Sequence, residues 1–235
     1  MHKNNVTFVL KRVFYAVPAI AGLLILAFII SRIIPADPAA LVAGEMASPQ
    51  QVEEVRRQHG FDRPLFTQAL LYFGQLLRGD LGKSLYTGRS VFSDLMDRFP
   101  ATLELTLVSM ALSIAVGIPL GIAAALKRNS ALDHLLRGFT VAGLAIASFW
   151  LGLMLQLLFG MWIGIAPLGQ RIGVSPPATV TGLYLVDAVL SFNGEAFLSA
   201  LKHIALPALS LSYSSLAAIT RFTRSGVLDV IQEDY

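Results

Sequence analysis

No cysteine occurs anywhere in the 235 residues. That excludes a disulfide framework, a thiolate metal site and a cysteine nucleophile. Charge is nearly as scarce. Asp, Glu, Lys and Arg make up 14% of the chain, where a soluble domain carries about 25%. Hydrophobic residues reach 55% and the mean hydropathy is +0.65. So little polar side chain cannot cover a globular surface. An ordinary soluble domain and a disordered chain are both excluded, and an integral membrane protein fits.

The chemistry of an enzyme is missing as well. There is no Gly-rich phosphate loop of the Walker type, so the chain is not expected to hydrolyse ATP. Ser148 has no Gly-x-Ser-x-Gly around it. His59 and His134 have no companions at metal-ligand spacing, and His203 stands alone at the edge of an apolar run. No catalytic residue, metal or cofactor is therefore expected. The apolar runs hold no paired carboxylate, no Arg–Asp pair and no His cluster, the groups that would mark a proton relay or an ion site. Glu104 is the one acid touching such a run, and it is expected to face water at the outer boundary. Energy for any transport should then come from outside this chain. The net charge of +3 bears on membrane orientation, and no nucleic-acid partner is expected.

What is present is four apolar windows near the roughly 20 residues a helix needs to cross a bilayer. They place spans at about 10–31, 102–126, 137–165 and 203–223. The third window is longer than one span. Pro167 and Gly169 point to a helix end near Ile165. The fourth is short and contains Pro207. An all-α polytopic membrane protein follows. Lys3, Lys11 and Arg12 precede the first span; Lys127, Arg128 and Arg137 sit between the second and third; Arg221 and Arg224 follow the fourth. These basic flanks belong in the cytoplasm. The N-terminus is then cytoplasmic, and the loops 32–100 and 166–202 lie outside. A cleaved signal peptide is the alternative for the first window, but its run exceeds the ~7–15 residues of a signal.

The first outer loop carries folding signals. Ser48-Pro49-Gln50-Gln51 reads as an N-cap, a first-turn proline and a capping-box Gln. That helix should reach His59 and stop at Gly60. Phe66, Leu70, Phe73 and Leu77 recur at helical spacing after Pro64. A short helix is read over 90–99, with a turn at 79–82 before it.

Ser109, Ser113, Gly117, Gly121 and Ala125 follow one another at strict four-residue spacing. They occupy one helix face, where small side chains let another backbone approach closely. They are expected to form a helix interface, either within the chain or with other spans of a pore-forming bundle. Pro119 lies between the two glycines and is expected to kink that helix. After the fourth span, Arg221 to Tyr235 reads as an amphipathic cytoplasmic helix that ends without a capping signal.

Several ordered segments carry a resemblance. They are Leu10-Lys11-Arg12 with Ile34-Pro35-Ala36-Asp37-Pro38, Gly79-Asp80-Leu81-Gly82-x-Ser84, Phe99-Pro100-Ala101-Thr102-Leu103-Glu104-Leu105-Thr106, Val116-Gly117-Ile118-Pro119-Leu120-Gly121, Arg221-Phe222-Thr223-Arg224 and Glu233-Asp234-Tyr235. Together the chain resembles, end to end, the inner-membrane permease subunits of ATP-binding-cassette importers of the dipeptide/oligopeptide/nickel branch. The family more often has Gly where Ala36 stands.

The resemblance implies a type I importer permease fold of about six spans, with four present here. It implies one half of a pore, usually heterodimeric with a second permease subunit. Two cytoplasmic ATP-binding subunits and an extracytoplasmic solute-binding protein would complete the assembly. Peptides are the implied cargo, with nickel or glutathione-like solutes as the alternative and a non-transporting scaffold further behind. Residues 224–235, with Arg221, Arg224, Glu233, Asp234 and Tyr235, would start the cytoplasmic coupling segment. In the family an Ala/Gly segment and two further spans follow, so the resemblance implies a chain truncated at its C-terminus.

Overall fold

The computed structural model describes residues 2–33, 37–44, 46–58, 60–84 and 87–232. Every regular element among them is helical, and the only strand-like pairing there is an isolated antiparallel bridge between Lys83 and Ser90. The chain divides into two compact units, Met1–Leu95 and Met96–Tyr235.

In the first unit, α1 (His2–Ile33) carries Phe28 near its end. That ring is buried against Tyr72 and Phe73 of α4 (Leu65–Leu77), at 5.7 and 6.3 Å between centroids. Between them lie α2 (Pro38–Ala43) and α3 (Pro49–Gln58). Asp37 caps α2 by accepting from the Ala39 N–H, and its other oxygen holds Arg56 of α3 at 2.6 Å. The capping box forms reciprocally: Ser48 N–H donates to Gln51 Oε1 at 2.8 Å and Gln51 N–H to Ser48 Oγ at 3.3 Å. The α3 helix closes through Gly60 at φ +65°, with the Phe61 N–H returning to the Arg56 carbonyl. His59 lies outside the described residues. On α4 the apolar face leaves Phe66, Leu70 and Leu77 exposed. The polar Gln68 is the buried residue, donating to the carbonyls of Phe61 and Arg63.

The second unit is built around two long helices, α5 (Val91–Leu126) and α9 (Gly194–Ile231). The 36 residues of α5 span about 54 Å at 1.5 Å each, well beyond the ~30 Å hydrocarbon core. Among the described residues α5 alone is long and apolar enough to cross a membrane by itself.

The stretch read as a third span over 137–165 is divided. Helix α6 (Ala131–Ala145) gives way at Ile146 and Ala147, which are extended. The chain then resumes as α7 (Ser148–Leu155), continued by a π-helix over Gln156–Trp162. The two halves meet at 104° and pass as apolar enough only as a pair. No Pro or Gly stands at 146–147 to mark the break.

The segment 166–202, expected to lie outside the membrane, is tied down by α8 (Tyr184–Leu190). Ile172, Ala188, Ala196 and Ala200 form its small core. Asp187 is fully buried there. Its carboxylate accepts from the Thr181 N–H at 2.8 Å, the Thr181 hydroxyl at 2.7 Å and the Gly182 N–H at 2.9 Å. Burial pushes its pKa up, but these donors, with the Thr181 hydroxyl foremost, outweigh burial and hold it below the usual aspartate range.

A group with a depressed folded pKa contributes stability that is complete above its unfolded pKa and is lost as pH falls through the folded value. Amide protection factors across 180–188, which correct for the intrinsic pH dependence of exchange, should therefore stay constant from pH 7 to 5 and fall only below about 4. Loss of protection already between pH 7 and 5 would contradict this assignment. Asp187→Asn turns an amide NH₂ toward donors and should cost about 1–3 kcal/mol locally, read as faster exchange of the same amides at pH 7.

Candidate functional site

Ser109, Ser113, Gly117, Gly121 and Ala125 are all buried, on the face of α5 that meets α9. Ser113 Oγ donates to the Ser109 carbonyl one turn back at 2.8 Å and to the Ser212 carbonyl of α9 at 3.1 Å. Thr220 Oγ1 of α9 donates to the Gly117 carbonyl at 3.2 Å. A Cβ on Gly117 would stand 3.0 Å from Ile219 Cγ2. On Gly121 it would stand 2.6 Å from Thr223 Cβ and 2.8 Å from the Thr220 carbonyl oxygen, closer than real Cβ atoms come. Glycine at 121 is thus set by contact with backbone, since the obstructing carbonyl cannot swing aside. Pro119 sits exposed between the two glycines, and the helix runs through it without interruption.

The answering stripe on α9 is Ala208, Ser212, Leu216 and Thr220, all buried and again four residues apart. The same spacing rule applied to the fourth window would have found it. The fully buried Ala217 on α9 faces α6, where a Cβ on Gly143 would lie 2.7 Å from Ala217 Cβ. Tyr213 closes this contact by donating its hydroxyl to the Phe139 carbonyl at 3.1 Å, with its ring edge-on to Phe139. Helix α9 therefore receives α5 on one side and α6 on another.

A buried ion pair locks one end of this trio. Asp133, in the first turn of α6, is fully buried. It receives Arg224 of α9 bidentately, Nε on Oδ1 at 2.7 Å and Nη2 on Oδ2 at 2.9 Å. The Asn129 N–H donates to Oδ2 at 3.0 Å, and Arg137 Nη2 stands 3.5 Å away. Asn129 itself takes φ +60° to turn the chain there, a conformation Asn tolerates. Both residues lie in the basic flanks outside the expected spans, so the pair does not conflict with the expected lack of an Arg–Asp pair within them. The partners are 91 residues apart, so spacing carried no sign of them. Arg221 is exposed and stacks over the Phe222 ring. Glu233, Asp234 and Tyr235 lie outside the described residues.

At the other end, Glu104 corrects an expectation. It is not a water-facing boundary residue but is buried. Its Oε2 accepts from Arg171 Nη2 at 2.8 Å and its Oε1 from the Leu185 N–H at 2.6 Å. A buried carboxylate needs such partners, and both come from the sequence-distant segment 166–202. The trio is thus tied at both ends by charge-assisted hydrogen bonds and joined along its length by small residues. That arrangement fixes the helices relative to one another. His203 Nδ1 lies 2.7 Å from the Ser199 carbonyl oxygen.

Two family models match the chain. One is described as "Binding-protein-dependent transport system inner membrane component" and covers residues 117–235. The other is described as "Binding-prot-dependent transport system membrane comp, N-term" and covers residues 5–106. The chain is 45% identical over 227 residues to the "Probable D,D-dipeptide transport system permease protein DdpB" of Escherichia coli (strain K12), covering 96% of this chain and 67% of that one. It is 38% identical over 234 residues to the "Di/tripeptide transport system permease protein DppB" of Pseudomonas aeruginosa (strain UCBPP-PA14), covering 97% and 69%. It is 35% identical over 233 residues to the "Dipeptide transport system permease protein DppB" of Escherichia coli (strain K12), again covering 97% and 69%.

Two predictions follow from the packing. Gly121→Leu should overpack the α5–α9 contact by about 1–3 kcal/mol or more and lower the thermal midpoint of the purified subunit. Ser109→Ala, which only removes a hydroxyl bonded within its own helix, should leave the midpoint nearly unchanged. Equal midpoints for the two variants would contradict the contact. For the ion pair, Asp133→Asn takes from Arg224 its carboxylate and should cost about 3–5 kcal/mol; Arg224→Gln should cost less, because Arg137 and the Asn129 N–H still face Asp133. The double variant should cost less than the sum, and strictly additive losses in the cycle would show the pair to be uncoupled.

Proposed function

The chain belongs to the family of binding-protein-dependent transport system inner membrane components, and on that premise we propose that it is one half of the membrane pore of an ATP-driven importer of short peptides. The single observation carrying this reading is the match along nearly the whole chain to relatives whose names specify dipeptide or di/tripeptide transport.

In this reading the four spans lie at about 10–31, 102–126, 137–165 and 203–223, with the N-terminus in the cytoplasm. A second permease subunit completes the pore. Two cytoplasmic ATPase subunits bind and hydrolyse ATP, and an extracytoplasmic binding protein delivers the peptide to the outer segments. The end of α9, with Arg221 and Arg224, leads into the ATPase contact.

The geometry supports a mechanical role for that end. Arg224 is held by Asp133, so a displacement of the α9 terminus is carried at once to the start of α6 and on to the bend at 146–147. The small-residue stripe makes α5 follow α9 because their backbones touch. No proton or ion needs to cross through this chain for that motion, since the work arrives from the ATPases.

Reconstitution of the complete importer in proteoliposomes tests the function. With its partner permease, both ATPases and the binding protein present, labelled dialanine should accumulate with ATP and not with a non-hydrolysable analogue. Nickel should not accumulate under the same conditions. Nickel uptake without dialanine uptake, or dialanine uptake independent of ATP, would contradict the proposal.

A further inference from the structure

Helix α4 is turned inside out for a helix in water. A surface helix of a soluble domain sets its apolar face inward and its polar face outward. On α4 the polar Gln68 is buried, its amide donating to the Phe61 and Arg63 carbonyls. Phe66, Leu70 and Leu77 are 75%, 60% and 90% exposed. At 100° per residue these three stand within about 40° of one another, on one face. No Asp, Glu, Lys or Arg interrupts the 13 residues.

The preceding helix behaves in the opposite way. Helix α3 holds Glu53, Glu54, Arg56 and Arg57, and none of its residues is buried. Its surface is charged and suits water. Two successive helices of one unit thus present surfaces for two different solvents.

The 13 residues of α4 make about 20 Å of helix, too short to cross the ~30 Å hydrocarbon core. An apolar helix of this length is a buried core helix, a re-entrant piece or an interfacial one. The exposed stripe excludes the first. Charges stand at both ends, Arg63 before α4 and Arg78 and Asp80 after it, all exposed. A re-entrant piece would carry one of those ends deep into hydrocarbon, where charge is costly. A helix lying flat keeps both ends in water.

The seat of α4 on α1 gives its depth. Phe28 packs on Tyr72 and Phe73, near the middle of α4. It lies 16 residues beyond Arg12, about 24 Å along the helix axis. With Arg12 at one edge of the hydrocarbon core, this contact falls about 6 Å short of the other edge. Interfacial helices bury their apolar face to about 5–10 Å, and a tyrosine such as Tyr72 is at home at that level. Phe73 stands beside Phe66, Leu70 and Leu77 on the helix wheel. The stripe therefore runs on into the apolar surface of α1, where Val17, Ile20 and Leu23 are exposed.

We propose that α4 lies in the membrane surface, with Phe66, Leu70 and Leu77 among the acyl chains of the leaflet at the end of α1 away from Arg12. The partner of this face is phospholipid and not protein. The anchored helix then holds α3, joined to it by the turn at 60–64, at a fixed height on the water side. The proposal rests on the reading of α1 as a span and is independent of the cargo.

The lack of cysteine in this chain allows single labels. Phe66→Cys, Leu70→Cys and Leu77→Cys are made one at a time. Glu54→Cys, exposed on α3, is the reference for water. Leu23→Cys, exposed on the apolar run of α1, is the reference for lipid. Each carries a nitroxide in the complete importer with cysteine-free partners, in nanodiscs of phosphatidylethanolamine and phosphatidylglycerol. Collisions with oxygen, which concentrates in lipid, are compared with collisions with a polar nickel chelate, which stays in water. The oxygen-to-nickel ratio at 66, 70 and 77 should exceed that at 54 by about threefold or more, as fits a depth of ~5–10 Å. Adding the solute-binding protein should leave it unchanged.

Ratios at the three sites equal to that at Glu54 would overturn the proposal. Labels shielded from both reagents, or shielded once the binding protein is added, would overturn it too, because a protein then covers the face. If Leu23 also reads as water, α1 is not a span and that reading falls with the proposal. The labels stand at three separate exposed sites, so a variant that fails to assemble leaves the others to decide.

Discussion

At Gly121 two helix backbones come so close that a single methyl would lie 2.8 Å from a carbonyl oxygen of the neighbouring helix. The rest of the second unit depends on this approach. In lipid, apolar surface gains little by leaving one hydrocarbon environment for another, so helices associate through dispersion contact and hydrogen bonds at short range. Small residues supply both. They bring backbone atoms within reach, and they allow Ser113 and Thr220 to donate to carbonyls on the facing helix. With α6 seated through Gly143 on another side of α9, the three helices are in close contact along shared faces.

Charge fixes what close packing leaves free. Packing along a smooth stripe does not by itself stop one helix sliding on another. A buried bidentate pair does, because a shift of an ångström leaves two desolvated charges unsatisfied. Asp133–Arg224 plays that part at one end of α9 and Glu104–Arg171, with the Leu185 N–H, at the other end of the bundle. The two ties differ in kind. The first joins helix to helix, α6 to α9. The second joins the start of α5 to the segment 166–202.

Features that are local in sequence were legible in advance. The capping box at Ser48–Gln51 and the α5 stripe are read from residues three or four apart, the same distances at which a helix brings side chains together. The all-α membrane class followed from composition, and the family from ordered short segments. The answering stripe on α9 obeyed the same rule and was there to be found. The ion pairs were not legible, since their members lie 91 and 67 residues apart and each reads alone as an ordinary boundary charge. The bend between α6 and α7 was also hidden. Hydropathy measures the length of an apolar run, not its direction, and Ile146 and Ala147 carry no helix-breaking chemistry.

The central claim is that the small-residue stripe of α5 packs on α9 of the same chain. The absence of native cysteine lets it be tested without background. A Cβ built on Gly117 stands 3.2 Å from Ile219 Cβ, near the ~3.5–4.5 Å a disulfide requires. In membranes bearing the assembled complex, Gly117→Cys with Ile219→Cys should form an intrachain disulfide on mild oxidation, seen as a reducible mobility shift of the monomer band. A reducible dimer band, or no crosslink at all while both thiols react with a small maleimide after solubilisation, would contradict it.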